Sequence, residues 1–94
     1  MEFVWDEQKS RRNLAKHGVS FETARLVFDD PRAVSQLDRV KDEEERWQTL
    51  DLAGGILILL VVHTYREHGG EEVLRIISAR KATPRERTIY EQAI

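Results

Sequence analysis

Basic residues concentrate at a predicted strand-to-helix junction, in the sequence RIISARKATPRERTIYE (75–91). Between Arg75 and Arg87 there are five basic residues and a single acid, Glu86, although the net charge of the chain is -2. A guanidinium group suits bidentate contact with phosphate, and a local positive field can act within an acidic protein when a cleft focuses it. The junction therefore predicts either plain phosphate binding or arginine-assisted phosphoryl chemistry.

Arg80 is the strongest single candidate within this junction. By the alternation of a strand, we expect it to share one face with Leu74, Ile76 and Ser78 and to be partly desolvated there. A partly buried guanidinium needs an anionic partner, which is either the phosphate of a ligand or the internal carboxylate of Glu86. The sequence favours a functional role for Arg80 and leaves both partners open.

The other candidate side chains each have a structural alternative. Tyr90 could contact a nucleotide or fill the core with its hydroxyl at the rim. His63 interrupts an apolar run and could transfer a proton or serve as a buried structural residue. His17 precedes a glycine and could simply interact with the negative end of its helix. For Lys81 and Arg87 the sequence favours strand-edge protection and ordinary solubility.

The composition argues against several classes of site and location. The chain has no cysteine, which excludes disulfides, thiolate metal sites and cysteine nucleophiles. Its three histidines lack metal-ligand spacing and no glycine-rich phosphate loop is present, so we expect neither metal nor cofactor. The N-terminal residues do not resemble a signal peptide, and the apolar run 56–62 is too short to span a membrane. We expect a soluble, cytoplasmic protein.

Two helices are expected in the first third of the chain. A short β-like run at 2–5 is followed by Asp6, a suitable N-cap, and the first helix should end at Gly18. Ser20 should cap a second helix that ends before Pro31. These elements position His17 and its neighbours at a helix end.

The rest of the chain predicts a sheet closed by a helix, within one domain of residues 1–94. The run 38–45 reads as a charged loop after a short edge strand, and the pattern then changes to that of strands separated by paired glycines. The expected strands are 33–37, 46–52, 56–66 and 73–81. Thr83 and Glu86 form a capping box for the last helix. We therefore predict an α+β fold: an antiparallel sheet, buried on both faces at its middle strand, with two N-terminal helices and one C-terminal helix packed on it.

Five stretches of the chain resemble the BrnT toxins of type II toxin–antitoxin systems. They are FVWDEQK, NLAKHGVSFETA, EERWQTL, LLVVHTYRE and RIISARKATPRERTIYE, and they span nearly the whole chain in the family's order. The resemblance implies a RelE-like fold and a metal-independent ribonuclease that stops translation. Attack by a 2′-hydroxyl on the adjacent phosphate would leave a 2′,3′-cyclic phosphate. The implied partner is a ribbon-helix-helix antitoxin of the BrnA type, through which the complex would contact DNA indirectly.

The resemblance also implies roles for particular residues. Arg80 would stabilise the phosphorane, and the other catalytic positions would be Arg46, His63, Glu86 and Tyr90. The residues expected to contact RNA are Lys9, His17, Arg66, Arg75, Lys81 and Arg85. The general base is not assigned by this comparison.

One departure and two alternatives accompany this assignment. Tyr65 follows the VVHT sequence where the family often has glutamate, so no carboxylate can act there. The alternative function is a catalytically inactive member that only binds an antitoxin within a transcription-repressing complex. Direct DNA binding by this chain alone ranks last, because we expect no helix with the basic face that a groove reader needs.

Overall fold

In the computed structural model, which describes residues 1–55 and 57–93, helices and strands occur in the predicted order. Ile56, at which we predicted the middle strand to begin, lies outside the described residues. The elements are β1 (Glu2–Val4), α1 (Glu7–His17), α2 (Phe21–Arg25), a 3₁₀ turn (Leu26–Asp29), β2 (Val34–Lys41), β3 (Glu44–Ala53), β4 (Leu57–His68), β5 (Glu71–Lys81) and α3 (Pro84–Ala93). No helix in these ranges is long and apolar enough to cross a membrane.

The strands form one sheet in the order β1-β5-β4-β3-β2. The predicted antiparallel meander from β3 to β5 is confirmed, and β2 pairs antiparallel on the edge. The sheet is mostly rather than wholly antiparallel, because β1 runs parallel to β5.

The prediction of a loop at 38–45 was wrong. Strand β2 continues to Lys41, the chain reverses at Asp42 and Glu43, and β3 begins at Glu44. Both turn residues have positive φ, at 52° and 64°, which permits a tight hairpin. Charged side chains are tolerated here because an edge hairpin exposes them to solvent.

The predicted helix caps are confirmed. The Asp6 carboxylate accepts hydrogen bonds from the backbone N–H groups of Gln8 and Lys9, at 2.9 and 3.2 Å. Gly18 ends α1 in the left-handed conformation, with φ of 73°, which favours glycine. Ser20 caps α2 by accepting from the N–H of Thr23 at 3.2 Å.

The sheet has two faces that are covered differently. We call the face beneath α2 and the 3₁₀ turn the helical face, and the opposite face, which α3 covers at one end, the open face. Leu59 and Val61 of β4 are buried on the helical face, while Leu60 packs with Leu50 and Tyr90 on the open face. The prediction that the middle strand is buried on both faces is therefore confirmed.

A β-bulge in β5 changes which face its residues occupy. The register shifts between Val62 and His63, so that Val62 pairs with Ser78 but His63 pairs with Ile76. The extra residue reverses the alternation of side chains. Leu74 and Ile76 consequently lie in the core of the helical face, whereas Arg80 pairs in register with Leu60. Our expectation that Leu74, Ile76, Ser78 and Arg80 share one face was therefore wrong.

Helix α1 protects the part of β5 that β1 leaves unpaired. Strand β1 pairs only with residues 73–75 of β5. Farther along, the Asn13 side-chain amide donates to the carbonyl of Ala79 at 2.7 Å and accepts from its N–H at 3.3 Å. The same amide donates to the carbonyl of Val19 at 2.8 Å. Asn13 thus replaces a strand partner and fixes α1 beside the bulge.

Candidate functional site

Arg80 forms a bidentate ion pair with Glu86 on the open face. Its Nη1 donates to Glu86 Oε1 at 2.7 Å and its Nη2 donates to Oε2 at 2.9 Å. The Arg80 side chain remains 39% exposed and that of Glu86 21% exposed. The hydrogen bonds from Arg80 lower the pKa of Glu86, and the same contact raises the pKa of Arg80. The pair is therefore ionised at neutral pH, with one side of the guanidinium toward solvent.

Glu86 is itself fixed by the first turn of α3. Its Oε1 accepts from the N–H of Thr83 at 2.9 Å, and Thr83 Oγ1 accepts from the N–H of Glu86 at 3.2 Å. This is the predicted capping box. Because hydrogen bonds fix both the backbone and the carboxylate of Glu86, this residue holds the Arg80 guanidinium in one orientation.

Tyr90 lies in the core under α3. It is 1% exposed, and its hydroxyl donates to Asp51 Oδ1 at 2.6 Å. That hydrogen bond is the main cause of the raised pKa of Tyr90, while burial raises the pKa of Asp51. The structure places Tyr90 where it joins α3 to β3, out of contact with solvent.

His63 is fully buried on the helical face. Its Nε2 is 2.7 Å from Thr49 Oγ1, which is in turn 2.7 Å from Ser35 Oγ. Burial lowers the pKa of His63 to about 4, so the ring is neutral at neutral pH. Its ring meets those of Phe28 and Tyr65 edge to face.

A cleft separates the ends of two hairpins. Strands β3 and β4 pair only from Trp47 and His63 onward, so beyond this point the β2–β3 and β4–β5 hairpins diverge. The hairpin cleft between them has a volume of about 830 Å³ and is lined by Lys41, Asp42, Glu43, Glu44, Glu45, Arg46, Trp47, Tyr65, Arg66, Glu72 and Arg75. It brings together three of the predicted basic residues. Arg66 spans the cleft, with its Nε 2.6 Å from Glu44 Oε2.

A second groove, which has basic but no acidic residues in its lining, lies between α1 and the bulge of β5. The α1 groove has a volume of about 420 Å³ and is lined by Lys9, Arg12, Asn13, Lys16, His17, Ile77 and Ser78. Its lining contains no carboxylate. Lys9, Arg12 and Lys16 are spaced to share one face of a helix. Our expectation that no helix has a basic face was therefore wrong, and this spacing is the sequence signal that we missed.

The remaining two predicted RNA contacts flank the Arg80–Glu86 pair. Lys81 is exposed at the end of β5. Arg85 lines an open groove of about 310 Å³ beside α3, together with Glu86, Leu60 and Ile89. The structure thus distributes the predicted residues among the Arg80–Glu86 region, the hairpin cleft and the α1 groove, and leaves His63 and Tyr90 buried.

No three His, Asp or Glu side chains within residues 1–55 and 57–93 are grouped so that they could hold a metal ion. Two carboxylates serve internal contacts instead. Asp51 accepts from Tyr90, and Glu86 accepts from Arg80.

The sequence matches a family described as "Ribonuclease toxin, BrnT, of type II toxin-antitoxin system" over residues 5–86. The chain belongs to the BrnT family. Its fold is similar to the crystal structure of the Brucella abortus ribonuclease toxin BrnT, with a TM-score of 0.59 and 27% sequence identity. That similarity covers 88% of this chain and 97% of the Brucella chain. No curated protein sequence matches the chain.

The part of the chain that matches the BrnT family includes the three basic regions described above. The matched range begins at Trp5 and ends at Glu86, so it contains the α1 groove, the hairpin cleft and the Arg80–Glu86 pair. A BrnT toxin acts on RNA, and each of these three regions has basic side chains beside a cavity.

Proposed function

We propose that the chain is a single-domain endoribonuclease toxin, a variant of the RelE-like fold, that cleaves RNA without a metal ion and so inhibits translation. Family membership supports the ribonuclease class. The observation that carries the site assignment is the fixed, partly exposed guanidinium of Arg80 on the open face.

The reaction at this site is an attack by the ribose 2′-oxygen on the adjacent phosphorus. The 2′-hydroxyl gives its proton to solvent, the O2′–P bond forms, and the P–O5′ bond breaks as O5′ takes up a proton from solvent. Negative charge accumulates on the non-bridging oxygens of the phosphorane, and a positioned guanidinium stabilises that charge. Arg80 supplies this group, and the products are a 2′,3′-cyclic phosphate and a 5′-hydroxyl.

Glu86 acts as a positioning residue in this scheme. Both of its oxygens already accept hydrogen bonds from Arg80, and Oε1 also accepts from Thr83. Its lowered pKa makes it a weak base. Its contribution is to orient Arg80, as Tyr90 does indirectly by fixing α3 through Asp51.

The RNA backbone reaches Arg80 along the α1 groove. Ser78 lines this groove and precedes Arg80 by two residues, so both side chains lie on the same side of β5. Phosphates held by Lys9, Arg12 and Lys16 therefore lead toward the guanidinium. Lys81 and Arg85 extend the basic surface on the other side of Arg80.

The proposal is tested by the chemistry of the RNA ends. Purified protein is incubated with a single-stranded RNA in the presence of EDTA, and the fragments are analysed by mass spectrometry. We expect 2′,3′-cyclic phosphate and 5′-hydroxyl termini, undiminished by the chelator. Cleavage that stops with EDTA, or fragments that carry 5′-phosphates, would contradict the proposed reaction.

One observation favours the alternative of an inactive member that only binds an antitoxin. Glu86 occupies both terminal nitrogens of Arg80, which neutralises the charge that catalysis requires. The groove beside α3 is lined by Val34, Leu50 and Leu60, which would suit an apolar segment of a BrnA-type antitoxin. In this alternative the purified chain binds the antitoxin and, with it, operator DNA, but produces no RNA fragments.

A further inference from the structure

Tyr65 offers a partly exposed aromatic ring in the hairpin cleft. It is 37% exposed and lines the cleft with Trp47. The ring centroids of Trp47 and Tyr65 are 6.3 Å apart at an interplanar angle of 70°, and those of His63 and Tyr65 are 5.0 Å apart at 87°. Both neighbours therefore meet Tyr65 edge to face, and no other ring in the described ranges stacks parallel on it.

The core holds this ring in place. His63 lies between Tyr65 and Phe28, with a centroid distance of 4.8 Å to Phe28. The His63 ring is fixed by its 2.7 Å contact with Thr49 Oγ1. Tyr65 is thus positioned by a buried, neutral neighbour, so a planar ligand that stacks on it would not need to order the ring first.

The charges in the hairpin cleft favour a base over a run of phosphates. Five carboxylates and four basic side chains line the cleft, so its lining carries no positive excess that would hold a run of phosphates inside it. Arg46 and Arg75 line the same cleft and form no ion pair with any described carboxylate. The Nε of Arg46 is buried and has no hydrogen-bond partner in the described ranges. These two arginines can contact phosphates that flank an inserted neutral base.

We propose that the hairpin cleft binds one unpaired nucleobase of the RNA, stacked on Tyr65 and bordered by Trp47, while Arg46 and Arg75 contact the flanking phosphates. This inference rests on the proposed ribonuclease function and adds a substrate-positioning site remote from Arg80. Single-stranded RNA is commonly recognised by such stacking on aromatic side chains combined with contacts to phosphates.

The test measures the affinity for a short 2′-O-methyl RNA oligonucleotide, which lacks the nucleophile and cannot be cleaved. Fluorescence anisotropy of a labelled oligonucleotide gives Kd for the wild-type protein and for Tyr65→Leu, which keeps apolar bulk over His63 but removes the aromatic face. We expect Tyr65→Leu to weaken binding by about 5- to 150-fold, the range for loss of one base–aromatic stack. Tyr65→Phe is the matched control and should bind like the wild type.

A second arm uses oligonucleotides with one abasic position, moved along the strand. At one position the missing base should weaken binding to the wild type as much as Tyr65→Leu does, with no further loss when both changes are combined. If Tyr65→Leu binds all oligonucleotides as the wild type does, the base site does not exist. If Tyr65→Leu instead weakens only an antitoxin complex, the cleft is a protein-binding site and the inference is overturned.

These outcomes are separable from failure of the proposed function. A wild-type protein that neither cleaves RNA nor binds the oligonucleotide overturns both. Cleavage that depends on Arg80 but not on Tyr65, with unchanged oligonucleotide affinity in Tyr65→Leu, overturns the base site alone.

Discussion

The two faces of the sheet differ in how completely they are buried. Among the described residues, ten buried apolar side chains form the cluster on the helical face, whereas Leu50, Leu60 and Tyr90 are the buried members on the open face. Arg80 and Glu86 lie at the rim of the smaller cluster, where α3 begins.

This difference separates stability from function within one small sheet. The helical face buries most of the apolar area, which is the main favourable term in folding. Among the described residues, α3 is the helix that packs on the open face, and Arg80 and Glu86 lie at its start. Substitutions of the buried residues on the helical face should therefore change stability most, and substitutions at the Arg80–Glu86 pair on the open face should change the cleavage rate most.

The largest stability effect is expected from a cavity in the helical face. Phe21 is 1% exposed, and Phe21→Ala should lower the free energy of unfolding by about 3–5 kcal/mol. Urea unfolding followed by circular dichroism measures this change. Ile89→Ala on α3 is the comparison, because Ile89 is 47% exposed and its loss should cost less than about 1 kcal/mol. Equal losses for the two variants would contradict the asymmetry between the faces.

A pH-dependent loss of stability is the next largest effect, and it also belongs to the helical face. The pKa of His63 falls from 6.5 to about 4 on burial. Between these values the unfolded chain binds a proton that the folded chain does not, so stability should fall as pH decreases from 6.5 toward 4. The full contribution is about 3 kcal/mol.

His63→Gln should remove most of this slope in urea unfolding curves recorded at several pH values. The raised pKa of Asp51 acts in the opposite sense, because that carboxyl binds its proton more tightly when folded. The quantity to compare is therefore the slope of the unfolding free energy against pH in the wild type and in the variant. Identical slopes would show that His63 does not titrate as a buried group.

The smallest of the three effects is expected on the open face. Glu86→Gln removes the charge that pairs with Arg80 and should lower the free energy of unfolding by about 1–2 kcal/mol at pH 7. The pKa of Glu86 is lowered from its ordinary 4.5, so its stabilisation is present above that value and is lost as pH falls through the folded pKa. Thermal unfolding should therefore separate wild type from variant at pH 7 but not in strong acid. A constant difference at all pH values would rule out the ion pair as its source.

Local signals in the sequence predicted the elements well. Asp6, Gly18 and Ser20 gave the helix boundaries, because capping depends on neighbouring residues alone. Paired glycines gave the two hairpin turns of the meander. The bulge in β5 could not be predicted, since it depends on how Ile76 and Ser78 register against β4.

The candidate site was only partly predictable for the same reason. Arg80 and Glu86 are six residues apart, and their pairing was among the alternatives that the sequence offered. Tyr90 contacts Asp51 across 39 residues, a partner that no local pattern indicates. The hairpin cleft exists because β3 and β4 stop pairing at Trp47 and His63, which is a property of the assembled sheet.

The most direct test of the account compares RNA cleavage by Arg80→Ala and Arg87→Ala under single-turnover conditions. Both variants remove one arginine from the same segment, but Arg87 is exposed and lies outside the Arg80–Glu86 pair. We expect Arg80→Ala to reduce the cleavage rate by about 100-fold or more, as loss of one positioned donor to a transition-state oxyanion does, and Arg87→Ala to cleave at the wild-type rate. Equal rates for wild type and Arg80→Ala would contradict the assignment of Arg80 as the catalytic cation.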